Sequence, residues 1–473
     1  MATWDQVRRR TPVPKVLFVA PSSYTLSGLA VWLDYLLPGL RSRGWDACLG
    51  LVSGPVHNRA QDYLASHPGT GGVPVHTDTC TPEGRRRAVT RAIRETAPDI
   101  VVAVNIPDTY RAIVCLRQKR RRTPRVVMSL HGIQGDLIRD VEEYREVLDA
   151  VVATNRLAAA LAREVAGMPA GRVLYAPYGV SSQPQAACAG VGTGLPLQPL
   201  RIVHSGRLEQ DQKRVRDLPA ILKGLDAEGI AWRLRIAGTG PEEGWLRQHL
   251  DVPAWVGRVE FLGHVPSERM AAAVYAGADV LLITPVWETG PLVVWEALAL
   301  GLPVVSSAYV GSGLEAALRD GINCLLFEVG DTEGAVAALA RLARNRALRE
   351  ALQSNGRQLV RERYSVGASV AAWDQALHAV IGLPELAAPP AVPPASPSGR
   401  LDRWLGPWLA ETLRVLTRRR WLDAEAGGEW PHSHSGLNRQ EDGAFWRTAS
   451  RLDRRDSLAQ PGPAAGRVPA RSV

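Results

Sequence analysis

No stretch of this 473-residue chain reaches the roughly 20 consecutive apolar residues that a membrane-spanning helix needs. The apolar run near the start, Val16 to Ala20, is too short for a secretion signal although the residues before it are basic. A cytoplasmic protein is therefore expected. Cysteine is sparse: Cys48, Cys80, Cys115, Cys188 and Cys324 are scattered, odd in number and never paired as Cys-x-x-Cys. That excludes a disulfide framework and a cysteine zinc site, and leaves five buried or idle thiols. Lysine is almost missing. Only Lys15, Lys119, Lys213 and Lys223 occur, so nearly all of the positive charge behind the net +9 is arginine. A basic balance favours acidic partners such as phosphates or anionic lipid.

What is present is length and apolar content. At about 100–200 residues per domain, the chain divides into two or three folding units, and 46% apolar residues suffice to give most of it a core. Short apolar runs (VLFVA at 16–20, DIVVAVN at 99–105, RVVMSL at 125–130) alternate with segments of helical spacing. The alternation predicts a parallel sheet covered by helices on both faces. Residues 181–199 are small and rich in Pro and Gly, as in an interdomain linker, after which the alternation restarts. The boundaries expected are an N-terminal Rossmann-like domain over 1–180, a linker over 181–199 and a second Rossmann-like domain over 200–383. A Pro-rich, basic, mostly disordered tail is expected over 384–473. Within that tail, residues 401–421 have the spacing of an amphipathic helix, interrupted near its start by Pro407.

The most informative segment runs from Trp287 to Ser307, WETGPLVVWEALALGLPVVSS. It follows a strand, opens a helix at Pro291 and ends in another strand. Proline suits a first helical turn. The free N–H groups of that turn, at Leu292 and Val293, with the helix dipole behind them, form a ready site for a diphosphate. Glu288 stands before the turn and Glu296 eight residues later. This Glu-x7-Glu pattern, with the ALALGLPVV that follows, resembles the retaining glycosyltransferases of family 4, which have a GT-B fold: two doubly wound α/β domains facing each other across a cleft. A second segment, HSGRLEQDQKRV at 204–215, resembles the family's Gly-Arg-Leu-x4-Lys stretch.

The resemblance implies a role for each of these residues. Glu296 holds the ribose of a nucleoside-diphosphate sugar and Glu288 contacts the transferred sugar. Arg207 and Lys213 neutralise the diphosphate. The turn GTGP, with Gly238 and Gly240, and the turn at Val265 lie along the donor. Gly290 and Pro291 stand where many members have Phe-Gly, which leaves one fewer phosphate-binding N–H. In the first domain, Gly28 stands where the family has a Gly-rich loop, only half matched here, and His131 stands where a histidine contacts the sugar. The resemblance covers about residues 15–382 and is most specific in the second domain. It implies sugar transfer to a carbohydrate, lipid-linked or small-molecule hydroxyl with retention of configuration. No cofactor and no metal is expected.

A non-catalytic nucleotide-sugar-binding scaffold on the same fold is the competing reading, made less attractive by the coincidence of Glu288, Glu296, Arg207 and Lys213. The basic runs Arg85-Arg86-Arg87 and 117–122 lack the interleaved aromatics of a nucleic-acid surface, so no nucleic acid is expected. They read as a solvated face, with peripheral contact to an anionic membrane as the alternative. The tryptophans Trp404, Trp408 and Trp421 fit an interfacial helix.

Overall fold

A computed structural model describes residues 13–21, 27–53, 60–67, 71–119, 123–181, 199–386, 399–417, 430 and 443–455. The first sheet has seven parallel strands: β1 (Lys15–Ala20), β2 (Asp46–Val52), β3 (Val73–Val75), β4 (Ile100–Val104), β5 (Arg125–Leu130), β6 (Ala150–Ala153) and β7 (Val173–Tyr175). Their spatial order is β3-β2-β1-β4-β5-β6-β7. The second has six: β8 (Leu200–Ser205), β9 (Trp232–Ala237), β10 (Val259–Gly263), β11 (Val280–Ile283), β12 (Val304–Ser307) and β13 (Leu325–Phe327), in the order β10-β9-β8-β11-β12-β13. The parallel pairing and the two-domain α/β architecture are those that the alternating sequence pattern predicts. Central strands such as β4, IVVAV, are buried at every position, which is why they read as unbroken apolar runs.

Helices α1 (Ser27–Ser42), α2 (Ala60–Ser66), α3 (Pro82–Thr96), α4 (Asp108–Gln118), α5 (Gly135–Tyr144) and α6 (Arg156–Glu164) accompany the first sheet. The second carries α7 (Leu218–Ala227), α8 (Glu243–Leu250), α9 (Leu292–Ala299), α10 (Thr332–Arg344) and α11 (Arg346–Leu359). Helix α12 (Val366–Gly382) follows the second domain in sequence but packs on the first. Its Val370, Trp373 and Leu377 join Phe18, Trp32 and Leu36 in one buried cluster. The second domain therefore ends in space near residue 365, not at 383. The chain crosses between domains at Val180 and returns at Ser365. The two crossings pair with each other: Val180 N–H donates to Tyr364 O (2.8 Å) and Val366 N–H to Val180 O (3.1 Å). The expected linker falls at residues 182–198, outside the described residues.

The expected disorder of the tail does not extend to two helices, α13 (Arg400–Leu416) and α14 (Gly443–Arg455). The first is kinked at Gly406 (φ 74°), just ahead of Pro407. The second buries Ala449 and Leu452, and Trp430 between the two helices is buried in the same first-domain core. Apart from residues 384–386, 399 and 417, the rest of the tail, Trp421 included, lies outside the described residues. Nor are the basic runs wholly a solvated face. Arg85 is buried and bonds the buried Asp108 (2.8 Å), Arg86 and Arg87 pair with Glu83, and Arg117 pairs with Asp149. An arginine held inside in this way is offset by its partner carboxylate and is not free for a ligand. Of the 117–122 run, residues 120–122 lie outside the described residues. The four described cysteines are free thiols, and Cys188 is not among the described residues.

Candidate active site

In open parallel sheets, ligands bind beyond the carboxyl ends of the strands where the strand order reverses. In the second sheet that reversal lies between β8 and β11. The loop leaving β8 carries Arg207 and Lys213; the loop leaving β11 carries Glu288 and leads to α9. The side chains meet: Lys213 Nζ pairs with Glu288 Oε1, and Glu288 is buried. Arg207 is reached through Gln212, which accepts from Arg207 Nη2 (2.9 Å) and donates to Trp287 O (3.1 Å). The Arg207 side chain also pairs with Glu209 and is 67% exposed, so it retains freedom to turn toward a ligand.

Helix α9 begins at Leu292, one residue later than expected, with Pro291 as its flanking residue. Pro291 accepts from Val294 N (2.9 Å), and Leu292 and Val293, as the first two helical residues, have no partner within the helix for their N–H groups. One turn on, Glu296 accepts from Tyr275 Oη (2.9 Å), and burial raises its carboxyl to about 7. The same burial, with the carboxylate beside it, raises the Tyr275 hydroxyl, and Ser205 at the end of β8 also bonds it. A continuous set of contacts thus links Glu296 to the end of β8, where the loop to Arg207 and Lys213 begins.

The glycines of this region answer to backbone crowding. Gly238 has φ 132°, and a Cβ there would lie 1.9 Å from Gly206 O; one at Gly240 would lie 2.3 Å from Leu208 O. The turn after β9 can therefore run against the Arg207 loop only with glycine at both places. Val265, just beyond β10, is half-buried against the same apolar cluster as Val293. Gly290 presents its backbone to the Tyr178 ring, where a Cβ would be 2.7 Å away.

From the first domain, His131 leaves β5 toward the cleft. Its ring nitrogens bond Ser129 Oγ and Tyr178 Oη, its ring meets Trp32 in a T-shaped contact, and burial lowers it to about 3, so it is neutral. Thr289 donates to His131 O (2.9 Å) across the domain boundary, next to Glu288. Gly28 falls in the first turn of α1. The preceding loop, 22–26, is outside the described residues. A cleft of about 400 Å³ opens between the domains, with Val31, Asp34 and Tyr35 on one wall and Met270, Tyr275, Leu292 and Glu296 on the other. That volume lies within the usual range for small-molecule sites. Among the described residues no group of three His, Cys, Asp or Glu side chains gathers in a way that could hold a metal ion.

Sequence reading missed Tyr275, Gln212 and Tyr178, which carry no motif signal. It also missed the tail. Trp446 of α14 packs on Trp287, next to Glu288, with ring centroids 5.4 Å apart. Asp453 accepts from the backbone N–H groups of Gly311 (2.8 Å), Gly313 (3.1 Å) and Leu314 (2.9 Å). A Cβ at Gly311 would in turn collide with Glu288 O.

Residues 199–345 match the family model described as Glycosyl transferases group 1. Over 155 residues the chain is 30% identical to the putative colanic acid biosynthesis glycosyltransferase WcaL of Salmonella typhimurium, covering 32% of this chain and 37% of that protein. Over 240 residues it is 31% identical to the phosphatidyl-myo-inositol mannosyltransferase of Mycobacterium leprae, covering 50% and 59%. The chain thus spans between about a third and three fifths of the lengths of these relatives. The structure of Anabaena HepE in complex with UDP and glucose superposes with a TM-score of 0.60 at 18% identity, covering 77% of this chain and 99% of HepE. The two-domain fold is that of the GT-B glycosyltransferases, and its second domain matches the group 1 glycosyltransferase model.

Proposed function

We propose that the protein is a glycosyltransferase that moves a sugar from a nucleoside-diphosphate sugar to a hydroxyl acceptor with retention of configuration, in polysaccharide or glycoconjugate synthesis. The observation that carries this reading is the pairing of Lys213 with Glu288, with Arg207 joined through Gln212, at the strand-order reversal and ahead of α9, which carries Glu296 and whose first N–H groups have no partner within the helix. The likeness to WcaL, to the mannosyltransferase and to a UDP-binding fold supports it.

In this reading Glu296 accepts two ribose hydroxyl hydrogen bonds. The N–H groups of Leu292 and Val293, with Lys213 and Arg207, hold the diphosphate. Lys213 exchanges Glu288 for phosphate when donor binds, which frees Glu288 for the sugar. Neutral His131 offers a hydrogen bond to that sugar by giving up Ser129 or Tyr178, its present partners. The bond from the anomeric carbon to the phosphate oxygen breaks, the acceptor oxygen bonds the same face, and its proton passes to the departing phosphate. The protein contributes orientation and charge balance. No metal or cofactor enters this scheme, because Arg207, Lys213 and the helix start supply the positive charge.

A thermal-shift screen against UDP-, GDP- and ADP-sugars tests it, followed by a transfer assay. Stabilisation by one nucleotide class is expected, and its loss in Glu296→Ala and Lys213→Ala. Variants that bind as well as the parent contradict the site. Binding without turnover under any acceptor points to a scaffold instead.

A further inference from the structure

Helix α13 is built inside out. Its buried residues are Asp402, Ala410, Glu411 and Arg414, three of them charged. Arg414 pairs with Asp402 (2.6 Å), and Glu411 accepts from the hydroxyls of Thr79 and Thr81. Arg87 of α3 donates to Trp408 O (2.7 Å) and to Thr412. The helix therefore docks on the first domain by polar contacts. Its apolar residues point the other way: Trp404 is 86% exposed, Leu416 74% and Trp408 60%, with Leu405, Leu409 and Leu413 also in solvent. Beyond the kink at Gly406, Trp408, Leu409, Leu413 and Leu416 follow the three- and four-residue spacing of a helical stripe, with Trp404 and Leu405 exposed just before it, and an exposed apolar patch of this kind marks an interaction surface. Its charge pattern is equally one-sided. Both acids of the helix are buried, while the exposed charges on it, Arg400 and Arg403, are positive.

We propose that the outward face of α13 docks the protein onto an anionic lipid surface. Tryptophan and leucine suit the boundary between headgroups and acyl chains, and arginines at the rim meet lipid phosphates. A bilayer fits better than a protein groove, because the exposed charges of the helix are all positive and its other face is taken up by polar contacts to the first domain. No described helix is long and apolar enough to cross a membrane. The attachment is therefore peripheral.

Flotation of the full chain with vesicles of phosphatidylcholine, alone or mixed with phosphatidylglycerol, tests this without any nucleotide sugar, so its outcome is independent of the transferase reading. The protein should float with the anionic vesicles and much less with the neutral ones. The variant Trp404→Glu should lose about tenfold or more in vesicle affinity with an unchanged melting temperature, as its side chain is 86% exposed, whereas the Trp408 ring also carries the Arg87 guanidinium over it. Arg400→Glu/Arg403→Glu should abolish the preference for the anionic vesicles. A parent protein that stays unbound, or a tryptophan variant that floats equally well, overturns the proposal. So does a dimer in solution that the tryptophan substitution dissolves while vesicles have no effect, since a second copy then covers the stripe.

Discussion

At the scale of single residues, Glu296 is the most telling group. Burial raises its carboxyl to about 7, so near neutrality the unliganded protein holds it partly protonated. A group raised in the folded state contributes stability that is full below its unfolded value, around 4.3 to 4.5, and lost as pH rises through about 7. In the proposed reading ligand binding works in the opposite direction, because ribose hydroxyls prefer the ionised acceptor. Nucleotide affinity should therefore fall as pH drops below about 7, and Glu296→Gln should flatten that dependence; titration calorimetry at several pH values measures it. Lys213→Ala should lower kcat by about 100-fold or more, since it removes positive charge where the leaving phosphate gathers negative charge. Gly238→Ala should lower the melting temperature and lose the equivalent of about 2 kcal/mol or more in urea unfolding, because the added methyl meets Gly206 O.

Among secondary-structure elements, α9 and the loops after β8 and β11 were legible in the sequence because their chemistry is local. Glu288 and Glu296 lie in one run, and Arg207 and Lys213 in another. Tyr275, Gln212 and Tyr178 were not legible, since each matters through a partner distant in sequence. Helix α13 follows the amphipathic spacing read over 401–421, with its break beside Pro407, but the side it buries was not legible, and neither was α14. Helix α13 turns charge inward and apolar residues outward, so its pattern does not announce which side is the core. Helix α14 is short, and Asp453 resembles any surface acid until its three N–H donors are seen. Asp453→Ala leaves those buried or half-buried donors unsatisfied. It should cost about 2–3 kcal/mol in denaturant unfolding and lower kcat, by loosening the loop under Glu288. Asp453→Asn, which keeps one acceptor oxygen, should recover part of both.

Across the whole molecule, the two parallel sheets follow from alternating apolar runs, yet their strand order and the domain boundary do not. Helix α12 returns to the first domain because Trp373 and Val370 complete the core around Phe18 and Trp32. The domains also bond each other away from the crossings. Glu315 accepts from Tyr175 of β7 (2.5 Å) and Arg156 N of α6 (2.9 Å), and Asn155 donates to Gly311 O (3.0 Å). Glu315→Ala should weaken this closed arrangement, seen as a larger radius of gyration by small-angle scattering and a higher KM for donor.

Helix α14 reaches over both halves, seated by Ala449 and Leu452 on the first and holding the 311–314 loop of the second through Asp453. The crossings at Val180 and Ser365 are bonded to each other beside the cleft, so the two halves are joined both there and through α14. A stay of this kind restrains how far the two halves part, so a tail far from the motifs in sequence is part of what holds them together.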